Sequence, residues 1–440
     1  MAAAGRRIAP MHRALPPDDP QRLELHDEVH TRPTARIRMP ARVVSVAVLH
    51  EGIGRDDECA HLQRLPGHAG LTAADLAADF LRLRLGDASL RWERHSEFTR
   101  YSLVQALPPS DLAEPMSALA VDPAWLHAIP GRTVAAVELL MQTQDLADPQ
   151  AALDAARRWF GERTVVASLT GHGHSLAVTD FALRDTGFER IVLLAPAGTS
   201  ETRAGRVSAR LLEFETYRLM ALRGLPVAKG LAPLLARAEA DLADITARME
   251  ARHGADDDQA LLDTLVSLAA RVERATAQTQ YRFAATRAYA AIVDQRIAEL
   301  REQPIPGTQT IGEFMRRRLS PAIATVAATE RRLASLAQRI ERAGALLRTR
   351  VDIATENHNR ELLAQLTRGQ ALQLKLQSTV EGLSIAAISY YVVSLILYGA
   401  KAAKAAGLPL HPEGVAGASI PLVLGAVWWL TRRIHARLRH

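Results

Sequence analysis

Any chemistry in this chain has to start from a few clusters of histidine, carboxylate and arginine. His26 and His30 stand four apart with Asp27 and Glu28 between them, so a helix would bring both imidazoles to one face, as in a two-histidine metal clamp. The zinc-protease pattern puts glutamate directly after the first histidine; here that residue is Asp27, and no third ligand is spaced to join. A surface or interdomain hydrogen-bonding role competes with the metal reading. Gly171-His172-Gly173-His174 lacks the lysine and hydroxyl of a phosphate loop and reads as a tight turn between two strands. Beside Trp92, the residues Glu93, Arg94, His95 and Glu97 could serve as acids and bases, but alternation along a strand sends neighbours to opposite faces. That favours ion pairs over a shared reaction centre. An enzyme would need a pocket gathering His30, Arg32, Glu93 or His95. No Gly-x-Ser-x-Gly elbow, Walker loop or dinucleotide fingerprint occurs, so no catalytic residue and no cofactor is implied.

A second pattern lies near the C-terminus. Gln370, Gln377, Ser384, Tyr391 and Tyr398 recur every seven residues, which puts them on one face of a supercoiled helix. In a ring of subunits that stripe would line a wet axis; in a simpler assembly its hydroxyls would hydrogen-bond across a helix seam.

The elements that must position these residues divide the chain into zones. Residues 1–20 read as a disordered lead with no apolar core for a signal peptide, so the N-terminal body is expected in the cytosol. Residues 21–199 read as a cytosolic α/β domain. Asp18, Asp19 and Pro20 open a short helix to about Val29. Strand patterns then run over Arg42–His50, Leu81–Leu85, Ser89–His95, Phe98–Ala106, Thr133–Gln142, Thr164–Leu169, Ser175–Phe181 and Ile191–Ala195. Helical patterns over Asp56–Arg64, Ala73–Phe80 and Pro149–Phe160 interleave with them.

Residues 200–381 read as a long-helix bundle and stalk, with helices at Glu201–Leu222, Val227–Arg252, Asp257–Glu302 and from Thr310 onward. Pro321 marks a kink or a later start in the last one. A helix over residues 310–400 would be about 135 Å long.

Residues 382–431 form the expected transmembrane hairpin. Its two runs, 382–400 and 414–431, contain no charged residue, and tyrosines and Trp428-Trp429 sit near their ends. Gly399, Lys401 and Lys404 fall to the connecting loop. The basic tail 432–440, with Arg432, Arg433, Arg437 and Arg439, outweighs Lys401 and Lys404, which puts both termini in the cytosol.

Composition narrows the partners. The chain has 440 residues, a formal net charge of +6 and only four lysines, and its arginines are interspersed with acids. That is a solvated surface and not a nucleic-acid patch. One cysteine, Cys59, excludes an internal disulfide. The expected partners are a membrane and further copies of the chain, joined through stalk and membrane helices.

Four stretches resemble a bacterial family of uncharacterised membrane-anchored proteins: His26–Pro33, Trp92–Phe98, Glu213–Arg218 and Gln377–Tyr391. The family's first motif more often reads Asn-Glu-Val-His-Ala-Arg-Pro; Glu28, Val29, His30, Arg32 and Pro33 match it, while Asp27 and Thr31 depart. The resemblance implies a bacterial inner-membrane protein and supplies no activity. The order of parts also resembles the CorA-type magnesium channel: an α/β domain, a stalk running into the first membrane helix, a short loop and a second helix. Such channels close their first helix with Tyr-Gly-Met-Asn, where this chain has Tyr398, Gly399, Ala400 and Lys401. The cation-holding asparagine is missing, and a lysine there would repel a cation.

Overall fold

A computed structural model of the chain describes residues 19–22, 25, 35–107, 119–251, 255–406, 409 and 411–438. The expected metal pair His26 and His30, the motif residues Glu28, Arg32 and Pro33, and nearly all of the expected lead lie outside them.

The N-terminal part is built on one eight-stranded sheet. Its strands are β1 (Ala41–Leu49), β2 (Phe80–Leu85), β3 (Ala88–Arg94), β4 (Phe98–Ala106), β5 (Arg132–Thr143), β6 (Val166–Thr170), β7 (Ser175–Thr179) and β8 (Glu189–Ala195), in the order β2-β3-β4-β1-β5-β8-β7-β6. Every pairing is antiparallel except β5 with β8. Between the strands lie the helices α1 (Arg55–Leu62), α2 (Pro123–His127) and α3 (Pro149–Arg157). Long helices follow: α4 (Glu201–Leu222), α5 (Gly224–Glu250), α6 (Ala255–Leu300), α7 (Ile311–Ala405) and α8 (Pro412–Leu438).

β1 is central and buried on both faces, which is why its sequence is almost continuously apolar. On one face Ile37, Val43, Leu139 and Leu193 meet Val207, Leu211 and Phe214 of α4, Val293 of α6 and Met315 of α7. On the other, Leu90, Trp92 and Tyr101 pack with Leu62 and Trp125, and Leu140, Leu176 and Val192 pack with Leu153 and Phe160. The sheet is thus a layer between two helical coverings.

Several expected bounds shift for local reasons. Ala73–Phe80 is only a 3-10 turn, Ala73–Leu76, because Asp79 adopts φ 54° and the chain enters β2 at Phe80. α2, absent from the sequence pattern, has a local start signal of its own: Asp122, whose carboxylate accepts from Ala124 N, followed by Pro123. α7 starts at Ile311 and runs through Pro321. Gly399, Lys401 and Lys404 are not in a loop: the alanine-rich sequence continues α7 to Ala405, and both lysines sit where cations suit a helix C-terminus.

The outer edge of β6 is completed by the connection between α6 and α7. Leu169 bridges to Gln303, Ala167 N donates to Gln309 O, and Gly171 N donates to Leu300 O. Ser168 Oγ donates to Glu302 and accepts from Ile311 N, at 2.8 Å each.

The chain falls into two compact units: residues 1–244 with 267–341, and residues 245–266 with 342–440. In the second, Met249, Leu261, Leu265 and Leu347 are buried, and Arg350 Nη1 donates to Met249 O. Among the described residues, three helical stretches are long and apolar enough to cross a membrane: Glu201–Glu250, Ile311–Ala405 and Pro412–Thr431. A third of the first one's apolar window is buried, against 6% in each of the others, since α4 spends its apolar face on the sheet.

Candidate functional site

Two stretches singled out in the sequence meet on the α4 face of the sheet: Trp92–Phe98, and Glu213–Arg218 on α4. Alternation along β3 divides the first. Trp92 is fully buried on the α1 face, where Arg94 also points, pairing with Glu58 at 2.6 Å. Glu58 further accepts from Thr99 Oγ1 at 2.6 Å, and Thr99 meets His50 Nδ1 at 2.9 Å. Arg91 and Glu93 take the opposite face.

There Glu93 lies directly across the strand pair from Arg100. Its carboxylate accepts from Arg91 at 2.9 Å and twice from Arg100, at 2.9 and 2.7 Å. Arg100 reaches Glu213 at 3.8 Å, Glu213 accepts from Arg296 at 2.6 Å, and Arg296 pairs with Glu299, which also meets Arg210. Alternating charges thus tie β3 and β4 to α4 and α6. Burial pushes the Glu93 carboxyl up, but Arg100 and Arg91 outweigh it and hold it at about 2. Arg100 is raised because Glu93 and Glu213 overcome its burial. Both groups therefore stay charged, and neither exchanges a proton near neutral pH. A cavity of about 20 Å³ adjoins them, room for one water.

Aromatic rings close the same junction. His95 stacks on Phe98 at 4.5 Å, Tyr217 meets Phe98 at 6.0 Å, and Tyr217 stacks on Tyr289 at 5.7 Å. Glu97 pairs with Arg282 of α6. At the end of the second stretch, Arg218 is held between Glu189 and Glu215 and lies over the Phe181 ring. Burial first, then the neighbouring Glu215 charge, raises Glu189.

Glu93, Arg94, His95 and Glu97 are accordingly fastening groups. Their partners include Glu58, Arg100 and Arg282, and a separation of 185 residues, for Glu97 and Arg282, leaves no local pattern to read. The histidine–glycine stretch is the turn between β6 and β7, with Gly171, His172 and Gly173 all at positive φ. Among the described residues no three His, Cys, Asp or Glu side chains are placed to hold a metal.

In the second unit, Gln370, Gln377, Ser384, Tyr391 and Tyr398 are all exposed along α7, and Ser384 Oγ donates to Val380 O. Ser389, Ala400, Ala416 and Val423 are the buried positions of the apolar stretches of α7 and α8.

A family profile described as "Protein of unknown function (DUF3422)" matches residues 17–438. No curated protein matches the chain. One solved structure, titled "structure of the full-length CmaX protein", aligns at 15% identity over 75% of this chain and 93% of that one, with a TM-score of 0.12.

Proposed function

We propose that this chain, which belongs to the DUF3422 family of proteins of unknown function, is a membrane-anchored homo-oligomer whose α/β unit is fastened to the helices that carry it. The observation behind this reading is the exposed apolar surface of α7. Leu362, Leu363, Leu366, Leu372, Leu374 and Leu376 stand in solvent along a stretch that also holds Glu361, Arg368 and Lys375. Each leucine forgoes about 1.5–3 kcal/mol if left uncovered, and the charges argue against lipid as the cover. Copies of the same helix answer both demands. The runs 382–400 and 414–431 carry no charge, and Leu383, Leu395 and Leu422 within them are exposed, which suits a bilayer. The buried small residues Ser389, Ala400 and Ala416 support pairing of α7 and α8 as a hairpin, since small side chains let membrane helices approach. The expected placement is a bacterial inner membrane with the sheet unit and the arginine tail in the cytosol.

A second reading, ion conduction on a CorA-like scaffold without its Gly-Met-Asn signature, draws on the stripe Gln370, Gln377, Ser384, Tyr391 and Tyr398, whose exposure leaves it free to line an axis. The non-conducting alternative is a scaffold or sensor that the hairpin only tethers. The test is the oligomeric mass of detergent-purified protein together with cation flux in liposomes. A closed ring supports the assembly, and flux lost on Ser384→Leu supports conduction. A monomer would refute the assembly. A ring without flux would leave the tethered scaffold.

A further inference from the structure

The pattern Arg-x-Arg occurs twice outside the helices of the first unit, as Arg36-Ile37-Arg38 on the segment leading into β1 and as Arg82-Leu83-Arg84 on β2. In each, the middle residue is buried and the arginines are exposed, so both guanidiniums of a pair point the same way. The two pairs line one groove of about 880 Å³, floored by Ser89, Val104 and Gln105. That volume suits a small-molecule ligand.

Charge in the groove is unbalanced. Four arginines face two carboxylates, Asp87 and Glu201, and among the described residues none of the six forms an ion pair. Some arginines of this unit are tied to acids, Arg100, Arg218, Arg282 and Arg296 among them, whereas those of the groove are not. Arg84 only reaches Gly86 O, at 3.4 Å. Arg82 sits directly across the strands from Arg91, a like-charge pairing that costs stability, and Arg91 already has Glu93.

We propose that this groove binds a small molecule carrying closely spaced phosphates. Residues i and i+2 of a strand have their Cα atoms about 7 Å apart on one face, so the guanidiniums of Arg82 and Arg84 can reach two neighbouring anionic groups. A single carboxylate or phosphate would leave most of the four unmet, whereas a di- or triphosphate meets both pairs, and guanidinium donors match phosphate oxygens bidentately. The same chemistry is offered by a free polyphosphate compound and by a lipid headgroup with several phosphates.

The test uses full-length protein in detergent, titrated calorimetrically with sodium tripolyphosphate, with orthophosphate, with citrate, and with a soluble short-chain phosphoinositide bearing two ring phosphates. Tripolyphosphate or the phosphoinositide is expected to bind saturably, and at least about tenfold more tightly than orthophosphate or citrate. Arg82→Gln with Arg84→Gln, and separately Arg36→Gln with Arg38→Gln, should each weaken binding about tenfold or more while leaving the melting temperature in place, since all four side chains are exposed. Tighter binding of the phosphoinositide assigns the groove to a headgroup, and tighter binding of tripolyphosphate assigns it to a soluble compound. Absence of saturable binding, equal binding of citrate, or unchanged affinity in both double variants overturns the proposal.

Discussion

Gly205 of α4 lies against the backbone of Ala35 so closely that a Cβ at that position would collide with the Ala35 carbonyl oxygen. A mid-helix glycine, normally unfavourable, thereby lets residues 35–38 dock on α4, where Ile37 N donates to Glu201 O at 3.1 Å. Gly205→Ala should cost about 1–3 kcal/mol by overpacking, even though alanine is the better helix former. Chemical denaturation of the variant checks this. A gain in stability would show that the close approach is absent in solution.

Glu93 neutralises two buried guanidiniums, Arg91 and Arg100. Replacing it with alanine leaves both buried without that carboxylate, so Glu93→Ala should lose about 3–5 kcal/mol. The reference is Arg132→Ala, whose partner Glu51 is as exposed as itself and which should be nearly silent. Equal effects in the two variants would refute a sheet-to-helix fastening role for Glu93.

The Glu189 carboxyl, raised to about 9, makes the first unit sensitive to alkali. Glu189 holds its proton more tightly folded than unfolded, where a glutamate titrates near 4.5. Its contribution is therefore complete below that value and is lost as the pH rises through about 9. Urea midpoints should fall across this range in the parent and flatten in Glu189→Gln. Parallel curves would count against the assignment.

If copies of α7 cover one another, Leu366→Glu with Leu376→Glu should dissociate the oligomer in detergent, since each places a charge where an apolar side chain would be buried. Sedimentation that still gives the parent mass would locate the interface elsewhere.

The strands of the sheet are legible because each is a short run, five to twelve residues long, rich in apolar and β-branched residues and bounded by breakers. The long helices were legible from their breakers, Gly224, Pro304 and Gly307. What escaped was set by partners distant in the chain or by single backbone angles. Asp79 cuts a helical pattern short by turning left-handed, and the surrounding alanines carry α7 past the position of Lys401 and Lys404, where the uncharged run ends. The Trp92–Phe98 and Glu213–Arg218 stretches can be named but not joined from the sequence, because the contacts between them, Phe98 with Tyr217 and the ion pairs through Arg100, span more than a hundred residues.

The completion of β6 by the α6–α7 connection also has a cost during synthesis. Ser168 is made 134 residues before Glu302, its partner on the covering segment. At about 5–20 residues per second, the edge waits roughly 7–27 s for its cover. Throughout that interval a buried-type strand, Val166–Thr170, offers bare amides and carbonyls to any nascent neighbour. The edge is closed only once Gln303 has been made and pairs with Leu169, so a chain truncated before residue 303 should aggregate more readily than the full chain.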